Sequence, residues 1–366
     1  MQSELLSIFK NVADPRSYRN QRHPFISIIG VSLLGVLSGI DGFSGLADYA
    51  EMHLEELQKY LDLPNGAPSH DTFQRVWSTI SPTEFLESFH EFTQTIASVF
   101  KGGIISIDGK KIRNSGDNPL TIVSAWCAQN ELVLAQEKVS DKSNEITAVP
   151  KLLRLLDLNS KIVTMDAMGC QREACEQIVE KEGDYLIALK GNQGSLHKDV
   201  KEWFQDEKLR SACDTWEEHD KGHRRIESRK AFVTDDIGWL QHHQWPHLRS
   251  IGMVEAQVTK SKKVTTETRF YISSLPAKAE EICKAARAHW GIENKLHWRL
   301  NVVFNEDKAC ITNDNAAENM DILRKWALNI LRKAKEKPDQ SIKSVQRKAS
   351  MSFKYLVSVI NKIFHA

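Results

Sequence analysis

The runs I-I-S-I-D-G-K (Ile104 to Lys110) and K-I-V-T-M-D-A-M-G-C-Q (Lys161 to Gln171) each carry apolar, partly β-branched residues into an aspartate and then into small or polar residues. Short runs of this kind read as buried strands whose carboxyl ends fall at Asp108 and Asp166. In open α/β sheets, side chains at the carboxyl ends of strands line the functional crevice. If these two strands are neighbours, the two carboxylates can share a divalent cation that relieves their mutual repulsion. Far downstream, H-W-G-I-E-N-K-L-H-W (His289 to Trp298) reads as a helix on which Glu293 is the acid among aromatic and aliphatic residues. Asp108, Asp166 and Glu293 are therefore the candidate ligands of an oxygen-rich metal site.

Working outward, further strands are expected at Thr121 to Trp126, Leu132 to Val139 and Tyr185 to Leu189. Helices are expected at Glu145 to Leu156 and Gln171 to Glu182. The order β-β-β-α-β-α-β describes a mixed sheet with helices on its faces. Before it, residues 1–100 alternate apolar helical runs with breaks at Pro24, Gly39 to Gly45, Pro64 to Pro68 and Ser81-Pro82, and read as a helical N-terminal domain. Its edge falls near Lys101-Gly102-Gly103, and residues 101–194 form the first part of the core. Residues 195–276 start with a polar helix (Ser195 to Phe204) and continue as strand-like runs at Ser228 to Thr234, Ser250 to Thr259 and Thr268 to Ser273, a β-rich insertion. Residues 277–335 return to helix, at Ala279 to Arg299 and Asn315 to Lys335, and complete the core with the third carboxylate. Residues 336–366 are a basic segment ending in a helix at Ser350 to Ile363.

With 366 residues, 41% of them hydrophobic, the chain can bury more than one domain's core. The net charge of +1 hides an uneven distribution. From Asp321 to Ala366 there are eleven Lys or Arg against three acids, a surplus of eight, so the remainder carries a net charge of minus seven. That basic end can neutralise phosphates, although a solvated helix face has the same composition. Six cysteines without a repeated C-x-x-C spacing fit free thiols in a reducing cytosol, and offer no cysteine zinc site. No export signal is read at the N-terminus, and the most apolar run, Phe25 to Ile40, is shorter than the roughly 20 residues a spanning helix needs. The zinc-deaminase signature, the Walker loop and the G-x-S-x-G elbow are all absent.

Three carboxylates and nearby cations suit phosphoryl transfer, which asks for positioning and charge neutralisation more than for covalent chemistry. Two hard cations about 3.5–4 Å apart can serve both the attacking and the leaving oxygen. Lys110, Lys190, Arg287, Lys295 and Arg299 are the cations expected around the phosphates. The loop Lys190-Gly191-Asn192-Gln193-Gly194 reads either as a plain turn or as a phosphate-contacting loop. Each acid also has a bland reading: an aspartate after a strand is commonly a turn or capping residue, and the Trp290, Trp298 stripe around Glu293 can be a packed helix face.

Several longer stretches occur in order: V-S-A-W (Val123 to Trp126), D-K-S-N-E-I-T-A-V-P (Asp141 to Pro150), T-M-D-A-M-G-C-Q (Thr164 to Gln171), G-D-Y-L-I-A-L-K-G-N-Q-G (Gly183 to Gly194) and H-W-G-I-E-N-K-L-H-W-R-L (His289 to Leu300). Together with D-P-R-S (Asp14 to Ser17), S-G-I-D-G (Ser38 to Gly42) and P-S-H-D-T-F-Q-R-V (Pro68 to Val76), they resemble the H-repeat-associated proteins, a branch of the bacterial insertion-sequence transposases of the DDE type. The resemblance runs from about Asp14 to Leu356. It implies a ribonuclease-H-like core and cleavage and strand transfer dependent on two Mg²⁺ or Mn²⁺ ions. The partner it implies is double-stranded DNA, as element ends and target, held by a homodimer in the bacterial cytoplasm, at the nucleoid when on DNA. Carried over by position, the triad falls on Asp108, Asp166 and Glu293; Asn192 and Gln193, from the phosphate-loop reading of Lys190 to Gly194, join the cations as candidate DNA contacts. Where the resemblance implies a tyrosine, an arginine and a lysine around the glutamate, this chain has Ala286, His289 and Leu300, with Arg287 and Arg299 at adjacent positions as substitutes. Asn301 stands where an aspartate is common. These departures keep open a DNA-binding remnant with the fold but no turnover, and a nuclease that cuts without joining uses the same residues.

Overall fold

The computed structural model describes residues 9–17, 21–97, 103–116, 119–140, 143–222, 225–260 and 263–364. Helices α1 (Phe25–Leu37), α2 (Phe43–Met52), α3 (His70–Thr79) and α4 (Pro82–Ala97) form the N-terminal part. Strands β1 (Gly103–Lys111), β2 (Thr121–Cys127) and β3 (Leu132–Lys138) follow, then helix α5 (Glu145–Leu155), β4 (Lys161–Met165), α6 (Arg172–Glu180) and β5 (Asp184–Leu189). The expected β-β-β-α-β-α-β order is the observed one. The proposed edge at Lys101-Gly102 and the start of the Asp141 motif lie outside the described residues.

The chain continues through α7 (Gly194–Gln205), β6 (Asp214–Gly222), β7 (Arg225–Thr234), β8 (Ser250–Lys260) and β9 (Lys263–Ser273). Four strands occupy the insertion where the sequence suggested three, because D-T-W-E-E-H-D-K-G in β6 lacks the apolar alternation that marks a half-buried strand. All nine strands make one sheet in the order β3-β2-β1-β4-β5-β9-β8-β7-β6. The pairs β1–β4 and β4–β5 are parallel, while β1–β2, β2–β3 and β5–β9 are antiparallel. The result is the mixed sheet that the ribonuclease-H-like resemblance implies, with the insertion extending it edge to edge.

After the sheet come α8 (Ala279–Gly291), a π-helical stretch (Ile292–His297), α9 (Trp298–Phe304), α10 (Asp314–Lys333), α11 (Ile342–Met351) and α12 (Phe353–Phe364). The sequence suggested one helix over Ala279 to Arg299; the structure widens it at the π turn. It also divides the last basic stretch at Ser352, which caps α12 by accepting from the Tyr355 N–H at 3.3 Å. One face of the sheet packs against α5, α6 and α7 through Leu152, Ile178 and Val200. On the opposite face, Trp126 and Val133 join a core that includes α10 and the N-terminal helices. Trp326 of α10 is buried there, with the rings of Phe9, Phe85, Phe89 and Phe92 4.7–5.6 Å from its own. Gly291 lets α8 run close over the sheet, since a Cβ there would overlap the Trp126 ring.

A candidate carboxylate site at the ends of two parallel strands

Parallel register pairs Ile107 of β1 with Met165 of β4, which sets Asp108 and Asp166 side by side one residue further on. The Gly109 N–H donates to Asp108 Oδ1 at 2.9 Å. Asp166 Oδ1 accepts from the Met168 and Gly169 N–H groups at 2.9 and 3.2 Å, a turn that aims the carboxylate back over the strand end. Burial pushes the Asp108 carboxyl up to about 7, and the nearby charges of Asp166 and Glu293 add to the rise. Glu293, exposed on the π turn, thus belongs to the same electrostatic cluster as the two strand-end aspartates.

A fourth carboxylate, Glu145 at the start of α5, was not singled out from the sequence. Burial raises its carboxyl, as does the charge of Asp166, and it in turn raises Asp108. Gly109 makes room for it: an added Cβ would collide with the Glu145 carboxylate. From sequence alone, Glu145 looked like an ordinary acid in a first helical turn, where the helix dipole favours it. The adjacency of a glycine to Asp108 was the only signal available.

Two histidines lie beneath the acids. His289 Nδ1 is 3.1 Å from Thr164 Oγ1, whose hydroxyl donates to Ser106 Oγ at 3.0 Å. Burial lowers His289 to about 4 despite the charge of Asp166, and lowers His297 to about 3 with help from Lys325 and Lys110. Both are neutral at ordinary pH, so His297, with Nδ1 3.7 Å from Asp108 Oδ2, leaves the acidic charge uncompensated. Hard carboxylate oxygens with raised proton affinity are the donor set of a divalent cation. The oxygens of Asp108, Asp166 and Glu293 do not all come within 4.8 Å of one another.

The candidate phosphate contacts separate into groups. Lys110 points behind the site, where its Nζ donates to Asn301 Oδ1 at 2.9 Å and pairs with Glu306 and with Asp307 at 3.3 Å. Arg287 pairs with Glu218 at 3.2 Å and with Asp220. Lys295 and Arg299 both reach Glu131 in the β2–β3 turn, at 2.7 and 2.9 Å, and Arg332 joins them. A phosphate at any of these four cations must displace a carboxylate. Asn192 and Gln193 donate instead to the carbonyls of Ala167 and Cys170 at 2.6 and 2.5 Å, so they hold the loop that carries Asp166. Lys190 is exposed beside them. The three departures near Glu293 have a physical reading: Ala286, His289 and Leu300 are all buried, so none of these positions faces solvent.

A further cation, unmarked by any motif in the sequence, lies beside Glu293. Arg269 of β9 sits 4.4 Å over the Trp290 ring, donates to Glu267 at 2.8 Å, and has its pKa raised against burial by Glu267, Tyr271 and Glu293. With Lys190, His197, Lys201 and Arg210 it lines a cleft of about 560 Å³ that also takes in Glu255 and Glu267.

Residues 6–93 match the family described as DDE_Tnp_1-associated, and residues 100–330 match the Transposase DDE domain. The chain is 38% identical over 374 residues to the Escherichia coli (strain K12) protein named "H repeat-associated putative transposase YhhI", covering 98% of each chain. It is 36% identical over 367 residues to "Putative transposase YncI" of Escherichia coli O157:H7, covering 97% of this chain and 94% of that one.

Proposed function

Because this chain belongs to the DDE transposase family of bacterial insertion sequences, we propose that it cuts DNA strands at the ends of a mobile element and joins the freed 3′ hydroxyl to target DNA. The observation that carries the reading is the pair Asp108 and Asp166 on adjacent parallel strands, with the Asp108 carboxyl pushed up to about 7 by burial, Asp166 and Glu293. Asp108, Asp166 and Glu293 would hold Mg²⁺ or Mn²⁺, and Glu145 stands close enough to serve as a further ligand or proton acceptor. When bound, two such cations activate the attacking oxygen and stabilise the leaving one.

The chain's own groups do the positioning. The Gly109 amide and the Met168 and Gly169 amides fix the two aspartates, and Asn192 and Gln193 fix the loop behind Asp166. Neutral His289 and His297 fill the floor of the site without adding charge. Lys190 takes the DNA phosphates on the open side, and Arg269 joins it where a phosphate displaces Glu267. Paired element ends require a second copy of the chain. No helix among the described residues is long and apolar enough to cross a membrane; on this reading the chain works at the bacterial nucleoid when on DNA.

The test is a cleavage and strand-transfer assay on duplex DNA carrying the ends of the encoding element, with Mg²⁺ or Mn²⁺, comparing wild type with Glu293→Gln. Both products should appear with wild type and fall by roughly two orders of magnitude or more in the variant. Cut DNA without joined product would replace the reading with that of a metal-dependent nuclease. Tight binding without cutting in either protein would make the chain a DNA-binding remnant, the outcome favoured by the buried Ala286, His289 and Leu300.

A further inference from the structure

The geometry points to a second metal site, for Zn²⁺ or a similar borderline cation, built by Asp199, His242 and His243. These three side chains are the one group among the described residues whose ligand atoms all lie within 4.8 Å of one another. Asp199 belongs to α7, and the histidines end a 3₁₀ turn, Gly238–His243, in the connection between β7 and β8. The Asp108 cluster does not include them.

Other contacts set this arrangement independently of the three ligands. Trp203 of α7 stacks on Trp239 of the turn, with ring centres 6.3 Å apart and planes 6° from parallel. Leu240 is buried beneath the turn, and Arg172 at the start of α6 donates to the His243 carbonyl at 2.8 Å. The turn that carries the histidines is thus held against α7 and α6 before any ion binds.

The tautomer of His242 is what calls for a cation. Its Nδ1 is 2.9 Å from the Trp239 carbonyl oxygen, which can only accept, so Nδ1 carries the proton. In the Nδ1–H tautomer, Nε2 turns a bare lone pair toward Asp199 Oδ2, 3.5 Å away. Two acceptors facing each other repel, and His243 Nε2 meets the same oxygen at 2.8 Å. A ring nitrogen bonded to a backbone carbonyl, with the other nitrogen free, is the usual state of a metal-bound histidine. The 3.5 Å separation also matches the edge of a tetrahedron with bonds of about 2.1 Å, which is about 3.4 Å. The shorter His243 contact is that of a hydrogen bond, and it opens when the ring changes tautomer, the proton exchanging through solvent from Nε2 to Nδ1 so that the freed Nε2 lone pair binds the metal.

Two imidazoles and one carboxylate suit Zn²⁺, Co²⁺ or Ni²⁺ better than Mg²⁺, and water completes the coordination. Bound metal would clip α7 to the β7–β8 connection. Through Arg172, this brace reaches the start of α6, just beyond the loop that holds Asp166.

The experiment titrates full-length protein with Zn²⁺ by calorimetry and uses Co²⁺ as the spectroscopic probe. It compares wild type, His242→Gln, Asp199→Asn and the double variant Asp108→Asn/Asp166→Asn. The double variant should lose any Zn²⁺ bound by the carboxylates and keep the Asp199 site at wild-type affinity, while His242→Gln and Asp199→Asn should weaken that site at least tenfold. Co²⁺ should show four-coordinate d–d bands without thiolate charge transfer. The His242 side chain is 62% exposed, so circular dichroism and metal-free melting of His242→Gln should match wild type and separate lost binding from lost folding. Absence of Zn²⁺ binding in wild type, unchanged affinity in His242→Gln, loss of all Zn²⁺ binding in the Asp108/Asp166 variant, or a thiolate band would each overturn the site.

Discussion

At the residue scale, Asp108 concentrates the tension of the candidate site. Its carboxyl stands at about 7 against an ordinary 3.8, with burial as the main cause. Between those pH values the folded chain holds a proton that the unfolded chain has released, so this group's contribution to stability falls as pH rises through the window and levels off above about 7. At 1.36 kcal/mol per unit the full effect is about 4 kcal/mol, an upper bound for a group with charged neighbours. Asp108→Asn should therefore raise the metal-free melting temperature more at pH 8 than at pH 5, as read by thermal denaturation at both. An equal or opposite shift would mean that Asp108 ionises freely. Asp108 and Asp166 were legible because β-branched runs ended on them. Glu293 became legible chiefly through the motif around it. Glu145 stayed hidden, since first-turn acids are ordinary and nothing in the chain announces that Gly109 leaves a space for it.

At the scale of elements, the sequence showed where strands end but not what the loops do. Lys190 to Gly194 read equally as a turn or as a phosphate loop, and the structure uses two of its amides to hold the Ala167 and Cys170 carbonyls. Outer contacts of this kind typically change metal affinity by about 10–100-fold when lost. Asn192→Ala/Gln193→Ala should weaken Mn²⁺ binding at the carboxylates by roughly that range, while unfolding stability falls by only about 1–3 kcal/mol, in line with two hydrogen bonds. Mn²⁺ titration followed by electron paramagnetic resonance and urea denaturation measure the two effects. Unchanged Mn²⁺ affinity would return the loop to a plain turn. The helix carrying Glu293 shows a related limit: counting at 3.6 residues per turn fails across the π turn at Ile292–His297, where the backbone bonds reach one residue further. Arg299 consequently could not be placed by periodicity, and it faces Glu131.

Across the whole molecule, charge is visible in a sequence but its partner is not, and this decides where DNA can lie. The basic end from Asp321 onward is partly consumed inside the fold. Lys325 is buried on Asp321 at 3.0 Å, Arg332 meets Glu131, and Lys348 and Lys362 share Glu336 at 3.4 and 3.6 Å. By contrast, Lys190 and Lys201 are exposed along the cleft that Arg269 lines. Each phosphate contact contributes about 0.9 to the slope of log affinity against log salt on duplex DNA. Lys190→Ala/Lys201→Ala should flatten that slope by close to two units, whereas Lys333→Ala/Lys337→Ala on the exposed end of the basic segment should change it by less than one. Filter binding or anisotropy across a salt series reads both. If the C-terminal pair flattens the slope and the cleft pair leaves it unchanged, the duplex crosses the terminal helices instead, and the cleft cations have no part in holding it.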